Sequence, residues 1–147
     1  MSIHSSIIDR IATGRRRKDD AASFANSIGR DLLLLLNSWQ TLPPAARGVA
    51  PEVESSVLNY GVPNLAGQAA NAEVLSRYER EVEKAVGRFE PRLDPASVRV
   101  KTIAPGSGRS NAEFNLQIEG DLVGSSSGRR LVFRSKVNVS TGRVTLA

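Results

Sequence analysis

The fold is decided within residues 71–100, NAEVLSRYEREVEKAVGRFEPRLDPASVRV, where the spacing of apolar residues changes. Leu75, Tyr78, Val82, Ala85, Val86 and Phe89 recur at helical spacing, with Arg77, Arg80, Glu81, Glu83, Lys84 and Arg88 mostly opposite. That pattern predicts an amphipathic helix with one core-facing stripe. Asn71 stands where a short polar side chain can accept from the free N–H groups of the first turn. Pro91, lacking an N–H, stops the helix. Beyond Pro95 the period becomes two: Val98 and Val100, then Phe114, Leu116 and Ile118, then Leu131, Phe133, Val137 and Val139 alternate with polar residues. These predict half-buried antiparallel strands. Connections rich in glycine and serine at Pro105–Arg109 and Gly124–Gly128 suit hairpins, and Thr141-Gly142 separates a last short strand, Arg143–Leu146.

Toward the N-terminus, Ser27 is a plausible cap for a second helix carrying Ile28 and Leu32 to Leu36 as far as about Trp39. It is apolar nearly all round, which predicts either a central position or cover by a partner. Pro43-Pro44, Gly48 and Pro51 mark a loop, and a helical turn is predicted over Glu52–Leu58. In Asn59-Tyr60-Gly61-Val62-Pro63-Asn64, Gly61 can take a positive φ and Val62, preceding proline, is pushed toward extended geometry. Ile7, Ile8 and Ile11 predict a short amphipathic helix over Ser6–Ala12, and Arg15–Asn26 reads as a polar tether. The expected organisation is a short helix and flexible tether over 1–26 followed by one domain over 27–147. The class is α+β, with helices packed on one face of a three- to four-stranded antiparallel meander.

The 40% hydrophobic and 24% charged residues are those of a globular chain. The absence of cysteine excludes disulfides and thiolate chemistry. The longest apolar run, Leu32–Leu36, falls far short of the ~20 residues that span a bilayer, and the first residues lack a signal-peptide pattern, so a cytoplasmic location is expected. Of the net charge of +5, residues 1–30 carry +3, 31–96 carry −3 and 97–147 carry +5. The acidic middle and basic C-terminal third suit two faces docking on differently charged partners. The cluster Arg15-Arg16-Arg17-Lys18, followed at once by Asp19-Asp20, reads as solvated linker rather than nucleic-acid arm.

Catalytic constellations fail on inventory. His4 is the sole histidine, so neither a Ser-His-Asp triad nor a histidine metal cluster can be built, and no cofactor site is expected. Gly106-Ser107-Gly108 lacks the lysine of a phosphate loop. Glycoside hydrolysis would need Glu90 as a general acid with a raised pKa, but Arg92 two residues away favours its charged form, and no second carboxylate stands out. The chain is therefore expected not to be an enzyme.

Read together, Arg30-Asp31-Leu32 through Leu35-Leu36-Asn37, then Ser56–Asn64, then Arg88-Phe89-Glu90-Pro91-Arg92-Leu93, and finally the meander, resemble the gp25-like family of contractile-tail baseplate proteins. Within it they resemble the type VI secretion branch, TssE. The likeness covers about residues 28–147 and rests on the order and spacing of individually weak motifs. One departure is Ser38-Trp39 where that branch often has Thr-Arg after Leu-Leu-Asn. The resemblance implies a cytoplasmic baseplate wedge subunit near the inner membrane, binding TssF and TssG close to TssK. From it the TssB–TssC sheath would start to polymerise, with extended sheath arms adding to the domain's sheet. The edge at Arg143, Val144 and Thr145 is then a candidate partner-binding site, as are Tyr60 and the corner Glu90, Pro91 and Arg92. Two roles for that corner stay open. Arg92 either pairs with a partner's carboxylate, which the resemblance favours, or clamps its own fold. A phage-tail or extracellular injection subunit, or a basic nucleic-acid-binding domain, are the alternative functions; no nucleic acid and no membrane insertion are expected.

Overall fold

The computed structural model describes residues 20–43, 46, 48–103, 112–124 and 128–147. The predicted helix at Ser6–Ala12, the Arg15–Lys18 cluster, the turn at Pro105–Arg109 and the centre of the Gly124–Gly128 connection lie outside them.

Helix α1 runs from Asp20 to Leu36, seven residues earlier than the predicted cap at Ser27. Phe24 stands one turn before Ile28 and extends its stripe, and the alanines around it are strong helix formers. Phe24, Ile28, Leu32, Leu35 and Leu36 are all buried, and so is Ser27 inside the helix. The residues from Asp20 onward that were read as tether are thus helix, and the line drawn between 26 and 27 falls within α1. The leucine run is only partly enclosed: Leu34 remains 59% exposed, and Trp39 just beyond the helix 51%.

After the loop, the predicted turn resolves into two pieces, helix α2 at Pro51–Ser55 and a 3-10 turn at Val57–Asn59. Gly61 then adopts φ 131°, and a Cβ there would lie 2.3 Å from the Ser38 carbonyl oxygen. The close approach lets the Val62 N–H donate to Ser38 O (2.9 Å) and the Gln40 N–H donate to Val62 O (3.1 Å), stitching this strip to the end of α1. Only glycine fits both the dihedral and the space.

Helix α3 spans Ala72–Phe89, capped by Asn71, whose side chain accepts from the Val74 N–H at 2.9 Å. Its stripe buries Tyr78, Val82, Ala85 and Val86. Strands β1 (Arg99–Ile103), β2 (Glu113–Asp121), β3 (Arg130–Asn138) and β4 (Val144–Leu146) form an antiparallel meander in sequence order. Val100, Phe114, Leu116, Ile118, Val137 and Val144 face the helices. Burying one such side chain contributes roughly 1.5–3 kcal/mol. The architecture is α+β, as the change of period predicts. The opposite sheet face carries the alternating polar residues.

Candidate docking sites

Beyond α3 the chain must turn sharply, since Pro91 cannot continue the helix. Glu90 is its C-cap, with the backbone N–H still donating to Val86 O at 2.9 Å. Past the corner the backbone joins the sheet: Val123 N–H donates to Arg92 O (2.9 Å) and Asp94 N–H to Asp121 O (2.8 Å). The corner is thereby fixed at both ends.

Its side chains point inward. Arg92 Nε donates to Glu90 Oε1 at 2.6 Å and Nη2 to Glu90 Oε2 at 2.5 Å, a two-pronged pairing, while the Arg92 backbone N–H adds a third bond to Oε1 at 3.1 Å. The same guanidinium reaches α1, donating from Nη2 to Asp31 Oδ2 (2.5 Å) and from Nη1 to Ser27 Oγ (3.1 Å). It also lies over the Phe24 ring, 5.9 Å from the centroid. Ser27 and Asp31, four residues apart, share one helix face. Glu90 is 3% exposed, a buried carboxylate whose charge is matched at hydrogen-bond distance. Hydrogen bonding to Glu90 foremost, then to Asp31, holds Arg92 above its already high pKa although burial opposes it. Tyr60 stands beside this cluster, half-buried and edge-on to Phe89 with centroids 5.2 Å apart. Burial first, then the charges of Asp31 and Glu90, push its phenol above the ordinary value.

Of the two roles open for the corner, the internal clamp is the one that would use these bonds of Arg92 to Glu90, Asp31 and Ser27. Pro91, between Glu90 and Arg92, is exposed. Ser27, read from sequence as a helix cap, and Asp31, part of the Arg30-Asp31-Leu32 motif, complete the clamp, a role the sequence reading does not assign to either. Their only signal as a pair was polar i, i+4 spacing.

Arg143, Val144 and Thr145 lie elsewhere, at the β4 edge of the sheet. Val144 turns its side chain into the core, 2% exposed, whereas Arg143 and Thr145 are exposed. The two sheet edges differ. Along β1 the outward N–H groups of Val100 and Thr102 donate to Glu83 (2.9 Å) and Glu79 (2.6 Å) of α3, so helix carboxylates occupy that edge. At β4 one residue of α1's end intervenes: Asn37 Nδ2 donates to Val144 O (2.9 Å), and the Val144 N–H donates to Asn37 Oδ1 (3.0 Å).

The cleft between α1 and the sheet, lined by Ile28, Gly29, Leu32, Ile118, Gly120 and Phe133 among others, carries no ionisable side chain. No group of three metal-ligating side chains occurs among the described residues. No helix there is long and apolar enough to cross a membrane.

The family model of the baseplate wedge protein gp25 matches residues 22–127. This chain belongs to the gp25 family. The matched span starts within α1 and ends beyond β2, so it takes in the clamp, with Ser27, Asp31, Glu90 and Arg92, together with Asn37. No curated protein and no solved structure matches the chain. Membership makes it a baseplate wedge subunit of a contractile injection system, a structural component.

Proposed function

We propose that this gp25-family subunit is the TssE component of a type VI secretion system. It docks on TssF and TssG, near TssK, in the cytoplasm beside the inner membrane, and offers the edge from which TssB–TssC sheath subunits begin to polymerise. The order of the motifs quoted above supports the type VI assignment. The sheath role rests on one observation, the β4 edge. Residues 143 and 147 bond across to β3, from Asn138 N–H to Arg143 O (2.9 Å) and from Ala147 N–H to Arg134 O (3.3 Å), so Val144 and Leu146 turn their backbone groups outward. An extended arm can add there as a further strand. Arg143 and Lys136, near Thr145 on the open face, complement acidic side chains on such an arm. The exposed Leu34, Trp39 and Pro91, with the half-buried Tyr60, are the candidate contacts for the wedge partners.

A nucleic-acid role finds less support. The open sheet face bears Arg99, Lys101, Arg130, Arg134, Lys136 and Arg143, but Phe114 and Phe133 pack toward the core and leave no stacking platform on that face.

Leu146→Pro tests the edge. It removes an outward N–H while leaving the β3–β4 bonds in place, and Leu146 is 62% exposed, so folding should be nearly unchanged. TssF–TssG co-purification should persist while sheath assembly stops. Sheaths assembling at wild-type frequency would rule out this edge as their docking site.

A further inference from the structure

We infer that Asn37 is a stand-in for the incoming strand: its carboxamide occupies the place that a partner's peptide group takes, and an extended acidic segment docks on β4 by displacing it. The inference rests on the β4 docking proposed above and adds the residue that controls it.

The carboxamide of asparagine has the donor and acceptor of a peptide bond in the same planar arrangement. At Val144 both are used at once, Nδ2–H to the carbonyl at 2.9 Å and Oδ1 from the N–H at 3.0 Å, which reproduces the paired bonds of an antiparallel ladder. A buried sheet edge must have its backbone groups satisfied, and an exposed one invites pairing. Asn37 does the first and prevents the second at that position. Asn37 itself is exposed, so its release into water is unhindered. Its other bond, from Nδ2 to Leu33 O at 2.9 Å, lies at the exposed end of α1, where water can replace it. Two residues further along the strand, Leu146 has the same outward geometry, and no bond to its backbone N–H or C=O is made among the described residues. A segment can therefore begin pairing at Leu146 and zip toward Val144, exchanging Asn37's two bonds for its own. The contrast with β1 supports a displaceable device here. There the edge is held by two carboxylates on successive turns of one helix, Glu79 and Glu83, with the Thr102 hydroxyl adding a further bond to Glu79. The commitment to an acidic segment comes from Arg143, Lys136 and Arg134 on the open face beside β4.

The test measures binding of the TssB–TssC sheath pair to the full chain in wild type, Asn37→Ala, Asn37→Asp and Leu146→Pro. If Asn37 is a place-holder, Asn37→Ala binds more tightly, by about tenfold or more, since two hydrogen bonds no longer have to be broken. Asn37→Asp, which loses the donor, shifts in the same direction, and Leu146→Pro abolishes binding. Unchanged or weaker binding in both Asn37 variants, with Leu146→Pro still inactive, overturns the inference and leaves the docking edge standing. Wild-type binding by Leu146→Pro removes the edge and the inference together. Should neither Asn37 variant fold, wild-type chain labelled with ¹⁵N-asparagine decides. The Asn37 side-chain amide must move to a free, solvent-like resonance on adding TssB–TssC, and an unmoved signal refutes displacement.

Discussion

Replacing Arg92 by alanine separates a clamp from an interface. The substitution removes both guanidinium bonds to Glu90, the bonds to Asp31 and Ser27, and the packing on Phe24. What remains for the Glu90 carboxylate is the backbone N–H of residue 92 at 3.1 Å. The Glu90 side chain is 4% exposed, so its charge is left buried and almost unmatched. Removing one partner of a buried pair costs roughly 3–5 kcal/mol. The Asp31 contribution is smaller, because its side chain is 39% exposed and solvent screens the pairing. For a chain of this length each kcal/mol lowers the thermal midpoint by about 2–4 °C, so Arg92→Ala should melt some 6–20 °C below wild type. Arg92→Lys should recover only part of this, since an ammonium cannot serve Glu90 with two parallel bonds and reach Asp31 as well. Differential scanning calorimetry of the purified variants, with TssF–TssG co-purification in the cold, is the assay. The clamp requires a destabilised variant that still binds when folded. A midpoint within about 2 °C of wild type, with TssF–TssG binding lost, would refute it and restore the interface role.

Gly61→Ala should cost more than about 2 kcal/mol, because alanine is strained at φ 131° and its Cβ meets the Ser38 carbonyl; a midpoint equal to wild type would contradict the stitched strip. Tyr60 and Tyr78, the sequence's two tyrosines, both have phenols raised above the ordinary 10.0, Tyr78 through burial alone. The folded state therefore favours the neutral phenols, so their stabilisation is intact below pH ~10 and is lost as pH rises beyond it. Tyrosinate absorbance from the buried Tyr78 should appear only with unfolding, and titration of both rings near 10 in the folded protein would show otherwise. The purified chain should leave cell-wall suspensions intact, since Glu90 is engaged by Arg92; clearing that vanishes in Glu90→Gln would reverse the non-enzymatic assignment.

Period alone made α3, its Asn71 cap and the meander legible, because each depends on side chains close in sequence. The start of α1 was missed because its first turns mix alanines with polar residues around Phe24, and a single aromatic carries little periodic signal. Glu90 and Arg92 stood out as a charged pair at a proline corner, but choosing between clamp and interface needed Ser27 and Asp31. Those lie some sixty residues away on another element, and no local pattern brings them together. Glu79 and Glu83 look like solvent-facing acids of an amphipathic helix. Only the placement of β1 beside that helix turns them into the seal of a sheet edge. Asn37 gave the least signal, because a polar residue after a leucine run reads simply as the end of a helix.

Stability alone does not explain the clamp. Replacing a buried ion pair with apolar residues of similar volume is often neutral or stabilising, so charge at this corner costs desolvation that leucines would avoid. What a fork of fixed geometry adds is orientation. Apolar side chains would let α1 slide or rotate against the corner at little cost, whereas the Arg92 bonds to Glu90, Asp31 and Ser27 are satisfied in one arrangement. That arrangement sets where α1 ends, and the end of α1 carries Asn37. From Asp31 to Asn37 is six residues, about 9 Å along the helix axis. The position of α1 over the sheet thus governs whether the Asn37 carboxamide can meet Val144 at both of its backbone groups. A clamp at the middle of α1 and a sheet edge at its C-terminal end are then joined by one rigid helix, which suits a structural baseplate subunit.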